Sequence, residues 1–148
     1  MFYGRFEHNI DPKGRMTVPA AYRDQTPSGV FVTLGLDGNL MAYAKEKYGL
    51  IADSLNAITI TDPDSGALRR RILGNTADLT FDSAGRILIP AYLRKYAKIE
   101  NEVTIVGVGD SFEIWSPELL QAKEGPLEEA GDAGDRWLAF DITTRGNK

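Results

Sequence analysis

From Met1 to about Leu120 the chain alternates short apolar runs with polar turns, and glycine or proline interrupts it every few residues. Met16-Thr17-Val18 and Ile87-Leu88-Ile89 predict two short strands, each ended by a proline, Pro19 or Pro90. A proline there suits the first position of a helix. Short helices are expected over Ala20 to about Arg23 and Ala91 to about Lys98. Val30–Leu36 with Leu40–Tyr43, and Glu102–Val108 with Phe112–Trp115, predict two hairpins turning at Asp37-Gly38-Asn39 and Gly109-Asp110-Ser111. Tyr48, Ile51, Ala52 and Leu55 follow the i, i+3, i+4, i+7 spacing of a helix, and Ser116-Pro117 predicts the start of another. Asp62-Pro63-Asp64-Ser65 reads as a turn and helix start, with the helix running from Ala67 to Leu73 and stopping at Gly74-Asn75. From Lys123 onward, glycines among acids predict poor order, with Trp137 to Ile142 able to dock.

The pattern is a repeat. Asp11-Pro-Lys-Gly14-Arg15-Met-Thr-Val-Pro19-Ala-Ala-Tyr-Arg23 aligns with Asp82-Ser-Ala-Gly85-Arg86-Ile-Leu-Ile-Pro90-Ala-Tyr-Leu-Arg94 at one constant shift. Val32-Thr33-Leu34 falls on Val103-Thr104-Ile105 at the same shift. Two copies are too few for a solenoid and suggest a pseudo-symmetric pair completing one core. In each, Asp-x-x-Gly-Arg reads as a turn: the aspartate caps nearby N–H groups and the glycine supplies a positive φ. The boundaries expected are a first repeat over 5–47, connecting helices over 48–75, a second repeat over 76–119 and an acidic tail over 120–148.

Composition narrows the class. With 148 residues and no cysteine, disulfides, thiolate zinc sites and cysteine nucleophiles are excluded, and a cytosolic location is the default. No apolar run approaches the ~20 residues of a membrane span, and the N-terminus has no signal-like apolar stretch. The net charge of −4 alone does not suggest a nucleic-acid binder, but its distribution does. Arg69, Arg70, Arg71, Arg86, Arg94, Lys95 and Lys98 face only Asp78 and Asp82 between Leu68 and Lys98, whereas the segment from Asp110 to Asp141 is strongly acidic. Such a layout suits specific DNA binding and argues against coating DNA through bulk charge.

Phe2-Tyr3-Gly4, His8-Asn9-Ile10-Asp11, Lys13-Gly14-Arg15 and Pro19 resemble the N-terminal signature of the MraZ family. Phe81-Asp82, Gly85-Arg86-Ile87-Leu88-Ile89-Pro90 and Gly107 to Trp115 look like its second half. The resemblance implies an α+β fold, a double-split β-barrel of the AbrB and MazE type built here from two tandem repeats with short helices. It further implies a cytoplasmic, nucleoid-associated DNA-binding regulator, mainly a repressor of its own division and cell-wall gene cluster. Such a protein binds short G-rich direct repeats in double-stranded DNA near promoters and forms a homo-oligomeric ring, with no cofactor, metal or small-molecule substrate. The two loops differ: Ala84 stands where the first has Lys13, and Pro12 stiffens the first.

Arg15 and Arg86 are the residues expected to touch DNA, each guanidinium leaving a turn to make paired bonds to guanine O6 and N7. Lys13 is expected to hold a phosphate beside Arg15, a positioning contact without sequence information. Asp11, Gly14, Asp82 and Gly85 organise the loops. The competing reading is that Arg15–Asp11 and Arg86–Asp82 are ion pairs that only stiffen the turns. Exposed pairs contribute little to stability, which makes stability a weak reason to use the motif twice. The two readings can coexist, and DNA contact is favoured. Arg5 is a weaker candidate. Arg69-Arg70-Arg71 fits an amphipathic helix whose arginines face solvent or a neighbour's acids, His8 a strand position, and Tyr43, Phe112, Trp115 and Trp137 core or subunit-interface aromatics.

An enzyme is not expected: there is one histidine, no Gly-x-Ser-x-Gly, no phosphate loop and no paired-histidine motif. The other alternative is a non-DNA assembly or an antitoxin-like interaction module, though the tail after Leu120 is short for wrapping a toxin.

Overall fold

A computed structural model of the chain describes residues 1–58, 61–129 and 140. Strands β1 (Arg5–Asn9), β2 (Arg15–Thr17), β3 (Val30–Leu34) and β4 (Leu40–Ala44) come from the first copy of the repeat. Its helices are α1 (Ala20–Gln25) and α2 (Lys45–Asn56). After α3 (Pro63–Ile72) and a 3-10 turn at Leu73–Asn75, the second copy repeats the order. It supplies β5 (Ala77–Leu79), β6 (Arg86–Leu88), α4 (Ala91–Ala97), β7 (Glu102–Gly107), β8 (Ser111–Trp115) and α5 (Pro117–Glu129). The chain falls into two units, Met1–Pro117 and Glu118–Lys148.

Among the described residues all strand pairing is antiparallel, and the pairing is exchanged between copies. A six-stranded sheet runs in the order β1-β7-β8-β4-β3-β5, and β2 pairs with β6 in a separate ribbon. Each copy's first strand lies on the other copy's hairpin: β1 on β7 with Phe6 opposite Ile105, and β5 on β3 with Phe31 opposite Asp78. The centre is the β4–β8 pair, where Leu40 faces Ile114 and Ala42 faces Phe112. Neither copy completes its own sheet, which is why the two form one core.

The core follows from period-2 alternation. Val30, Val32, Leu40, Ala42, Val103, Ile105, Phe112 and Ile114 point inward, joined by Met16, Val18, Ile87 and Ile89 from the two ribbon strands and their exits. Tyr22 on α1 and Leu93 on α4 close it. Each such fully buried aliphatic or aromatic side chain contributes about 1.5–3 kcal/mol. The aromatic group Phe2, Phe6, Tyr22 and Phe112 packs edge-on or tilted, with centroids 5.0–5.4 Å apart.

Several local expectations shift. Strands β3 and β7 stop before Leu36 and Val108, because Gly35 N–H already closes the turn on the Asn39 carbonyl and Val108 N–H bonds Ser111. Residues Lys123–Glu129, expected to lack order, continue α5; the docking expected of Trp137 to Ile142 lies outside the described residues. Asp62 caps α3 by accepting the Asp64 N–H at 2.9 Å. Trp115 and Phe112 are buried and Tyr43 half-buried, while Trp137 lies outside the described residues. Among the described residues no helix is long and apolar enough to cross a membrane.

Candidate nucleic-acid interface

The two Asp-x-x-Gly-Arg turns have the same geometry. Gly14 N–H donates to the Asp11 carbonyl at 2.9 Å and Gly85 N–H to that of Asp82 at 3.0 Å. Both glycines have positive φ, 95° and 76°, a region costly for side-chain-bearing residues. One carboxylate oxygen of Asp11 accepts the backbone N–H of Lys13 at 3.0 Å and of Arg15 at 2.9 Å. Its other oxygen accepts Arg15 Nε. Asp82 repeats this with the N–H groups of Ala84 and Arg86, both at 2.9 Å, and with Arg86 Nε at 2.9 Å. The ion pairs are thus real, and they occupy only the Nε edge of each guanidinium. Among the described residues the terminal Nη groups of Arg15 and Arg86 have no hydrogen-bond partner. Aspartate holds the stem through Nε and does not use up the outer fork of the guanidinium.

Both carboxylates ionise below the ordinary aspartate range. The largest cause is the backbone N–H of Arg15 for Asp11 and of Arg86 for Asp82; the paired guanidinium adds to it, against a partial desolvation that works the other way. The aspartates therefore stay charged around neutral pH and offset one positive charge per loop. Lys13 leaves the first loop net positive, whereas the second, with Ala84, is neutral.

Each loop is clamped by the other copy. Ile89 N–H donates to the Gly14 carbonyl at 2.8 Å, and Val18 N–H to the Gly85 carbonyl at 3.1 Å. Arg94 Nε donates to the Ile89 carbonyl and Arg23 Nε to the Val18 carbonyl, both at 3.0 Å. A Cβ placed on Gly14 would lie 2.7 Å from Arg94 Nε, and one on Gly85 2.5 Å from an Arg23 Nη. Arg23 and Arg94 are thus site-supporting residues absent from the sequence-based candidates. Their match in the repeat was visible, but an alignment cannot show that each packs on the opposite copy's glycine.

The β2–β6 ribbon brings the arginines together. Arg15 pairs with Leu88, Met16 with Ile87 and Thr17 with Arg86. Met16 and Ile87 are 0% exposed, so alternation puts Arg15, Thr17, Arg86 and Leu88 on the outer face. The two arginines are diagonal neighbours, about 7–8 Å apart by strand geometry. Their side chains are 37% and 34% exposed. Lys13 lies exposed beside this face.

The remaining candidates lie elsewhere. Arg5 is on β1 opposite Val106. Arg71 is half-buried and bonded within the chain: its Nη2 donates to the Gly35 carbonyl at 3.1 Å and to the Tyr96 hydroxyl at 3.0 Å, pinning α3 to the β3 turn. Arg70 is exposed and Arg69 half-buried. His8 is a β1 residue opposite Val103, lining a cavity of about 340 Å³ with Glu7 and Glu102. Among the described residues no group of three histidine or acidic side chains could hold a metal.

Comparison with known proteins gives a consistent result. The sequence profile of a family described as "MraZ protein, putative antitoxin-like" matches twice, over residues 1–71 and 72–130. The chain is similar to the transcriptional regulator MraZ of Heliobacterium modesticaldum, at 41% identity over 96% of this chain and 100% of that protein. It is 40% identical to the protein of the same name from Herpetosiphon aurantiacus over the same shares. The Lactiplantibacillus plantarum protein is 40% identical over 84% of this chain and 88% of its own length. These relatives are named as regulators of transcription, not as enzymes.

Proposed function

The chain belongs to the MraZ family, and on that premise we propose that it is a sequence-specific DNA-binding transcriptional regulator. The observation that carries the reading is the outer face of the β2–β6 ribbon, where Arg15 and Arg86 stand diagonally with their Nε edges held and their Nη forks open. A major groove about 12 Å wide admits a two-stranded ribbon, and guanine offers there the two acceptors that a fork matches. Lys13 holds a phosphate, while Asp11, Gly14, Asp82 and Gly85 keep the loops rigid.

One unit offers only two forks, each discriminating by about 1–3 kcal/mol. Strong selectivity then needs several units acting together, so the reading includes a homo-oligomeric ring on short G-rich direct repeats, where tethering raises effective concentration. In this picture the interleaved sheet and ribbon close as a double-split barrel, and the repeats span 5–47 and 76–119. The protein works in the cytoplasm at the nucleoid, chiefly repressing its own division and cell-wall gene cluster.

Hydroxyl-radical footprinting of the DNA upstream of the chain's own gene, paired with a reporter driven by that DNA, tests the proposal. Short protected segments at regular spacing, with reporter output falling as the protein is expressed, are expected. A featureless cleavage pattern and an unresponsive reporter would overturn it. The antitoxin-like wording of the family description favours a second reading, a protein-interaction module, which predicts that featureless pattern.

A further inference from the structure

Leu88 stands out on the outer face of the ribbon. It is 54% exposed, although its neighbours in sequence, Ile87 and Ile89, are fully buried. Its counterpart in the first copy is Thr17, so the face is pseudo-symmetric in its arginines and asymmetric in the residues between them. Arg15 and Leu88 are directly opposite, which places their Cβ atoms about 4.5–5.5 Å apart. About half of this large aliphatic side chain is left in water beside two arginines, Arg15 across the ribbon and Arg86 two residues back on the same strand.

We infer that Leu88 is a specificity-determining residue of this interface, one that contacts the C5-methyl group of a thymine. The inference rests on the DNA-binding reading above. A protein partner covering Leu88 with apolar surface would also have to strip water from two open arginine forks. The DNA major groove presents acceptors for those forks and, on thymine, an apolar methyl group on the same surface. Successive bases rise 3.4 Å along a strand. A side chain ~5 Å from Arg15 therefore reaches a base one or two steps from the guanine that Arg15 reads. The Arg15–Leu88 pair, one residue from each copy, would then read a guanine–thymine combination, whereas the matching Arg86–Thr17 pair offers only the shorter threonine methyl.

The test replaces every thymine by uracil, which removes the methyl group and leaves the hydrogen-bonding edge. Binding of full-length wild type and of Leu88→Ser is measured on the duplex from upstream of the chain's own gene, with thymine or with uracil throughout. Burying one methyl group corresponds to about a fourfold change in affinity. Wild type should lose at least that factor on the uracil duplex, and Leu88→Ser, which has no side-chain methyl group, should bind both duplexes equally, with an unchanged thermal midpoint. The variant also controls for altered stiffness of uracil DNA, which would weaken both proteins alike. If wild type binds the duplexes equally, or if Leu88→Ser keeps the full thymine preference, the role of Leu88 is wrong while DNA binding stands. If wild type binds neither duplex selectively over a scrambled one, the DNA reading fails and this inference falls with it.

Discussion

Arg94 lies against Gly14 across the two copies of the repeat: a Cβ added to the glycine would stand 2.7 Å from Arg94 Nε and equally close to the Ile89 carbonyl. The same relation joins Arg23 to Gly85, but there the atoms nearest the added Cβ belong only to the guanidinium. The loops proposed to meet DNA are thus braced by the opposite copy, and one brace is stiffer than the other.

That difference predicts unequal glycine variants. Positive φ alone costs a side-chain-bearing residue about 1–2 kcal/mol. Gly85→Ala should lower the thermal midpoint by roughly 2–8 °C, as expected for that cost in a domain of this size. Gly14→Ala should lower it further, because a backbone carbonyl must move as well as a side chain. Adding Arg94→Ala to Gly14→Ala should recover only part of the loss. Equal midpoints for the two single variants would contradict the asymmetric clamp.

Charge predicts an asymmetry in DNA binding. Lys13 has no cationic counterpart at Ala84. Lys13→Ala should weaken binding to all sequences alike and make the dependence of log affinity on log salt shallower by about 0.9 for each loop engaged. Ala84→Lys should steepen it by a similar amount. Both are read from anisotropy titrations at several salt concentrations, and a slope unmoved by either substitution would remove the phosphate role.

The aspartates predict a stability loss confined to acid. Asp11 and Asp82 have lowered pKa values in the folded chain, chiefly through the N–H groups of Arg15 and Arg86. Their ionised forms are therefore favoured by folding, and the stabilisation is complete above the unfolded value of about 3.9. It disappears as pH falls through the lower folded values. The thermal midpoint of wild type should exceed that of Asp11→Asn/Asp82→Asn by a steady margin around neutrality, and the two should converge below about pH 4. A margin that persists at the lowest pH would show that charge is not what holds the loops.

Much of this arrangement was legible in the residues. The constant offset from Asp11–Arg23 to Asp82–Arg94 marks both turns, both ribbon strands and both following helices, because each depends on local chemistry: an Asx cap, a positive-φ glycine and a strand-ending proline. The hairpins at Asp37–Asn39 and Gly109–Ser111 are legible for the same reason. Strand exchange is implied by the family resemblance alone and not by the local pattern, since β1 buries little of either face and Ala77-Asp78-Leu79 is too short to show a period. Pairing of β1 with β7 depends on what the other copy leaves open, and no local pattern records that. Arg71 misleads for a related reason: helical spacing puts it on a polar face, and only the fold brings Gly35 and Tyr96 to meet it.

The most direct test compares wild type, Arg15→Ala and Arg86→Ala by fluorescence anisotropy, on the duplex upstream of the chain's own gene and on a scrambled duplex. Wild type should prefer its own sequence, and each substitution should cost about 1–3 kcal/mol of that preference for each loop engaged, while thermal midpoints stay nearly unchanged. Selectivity retained in both variants, or variants that melt early with no specific effect on DNA, would contradict the account and leave the arginines as braces of their own turns.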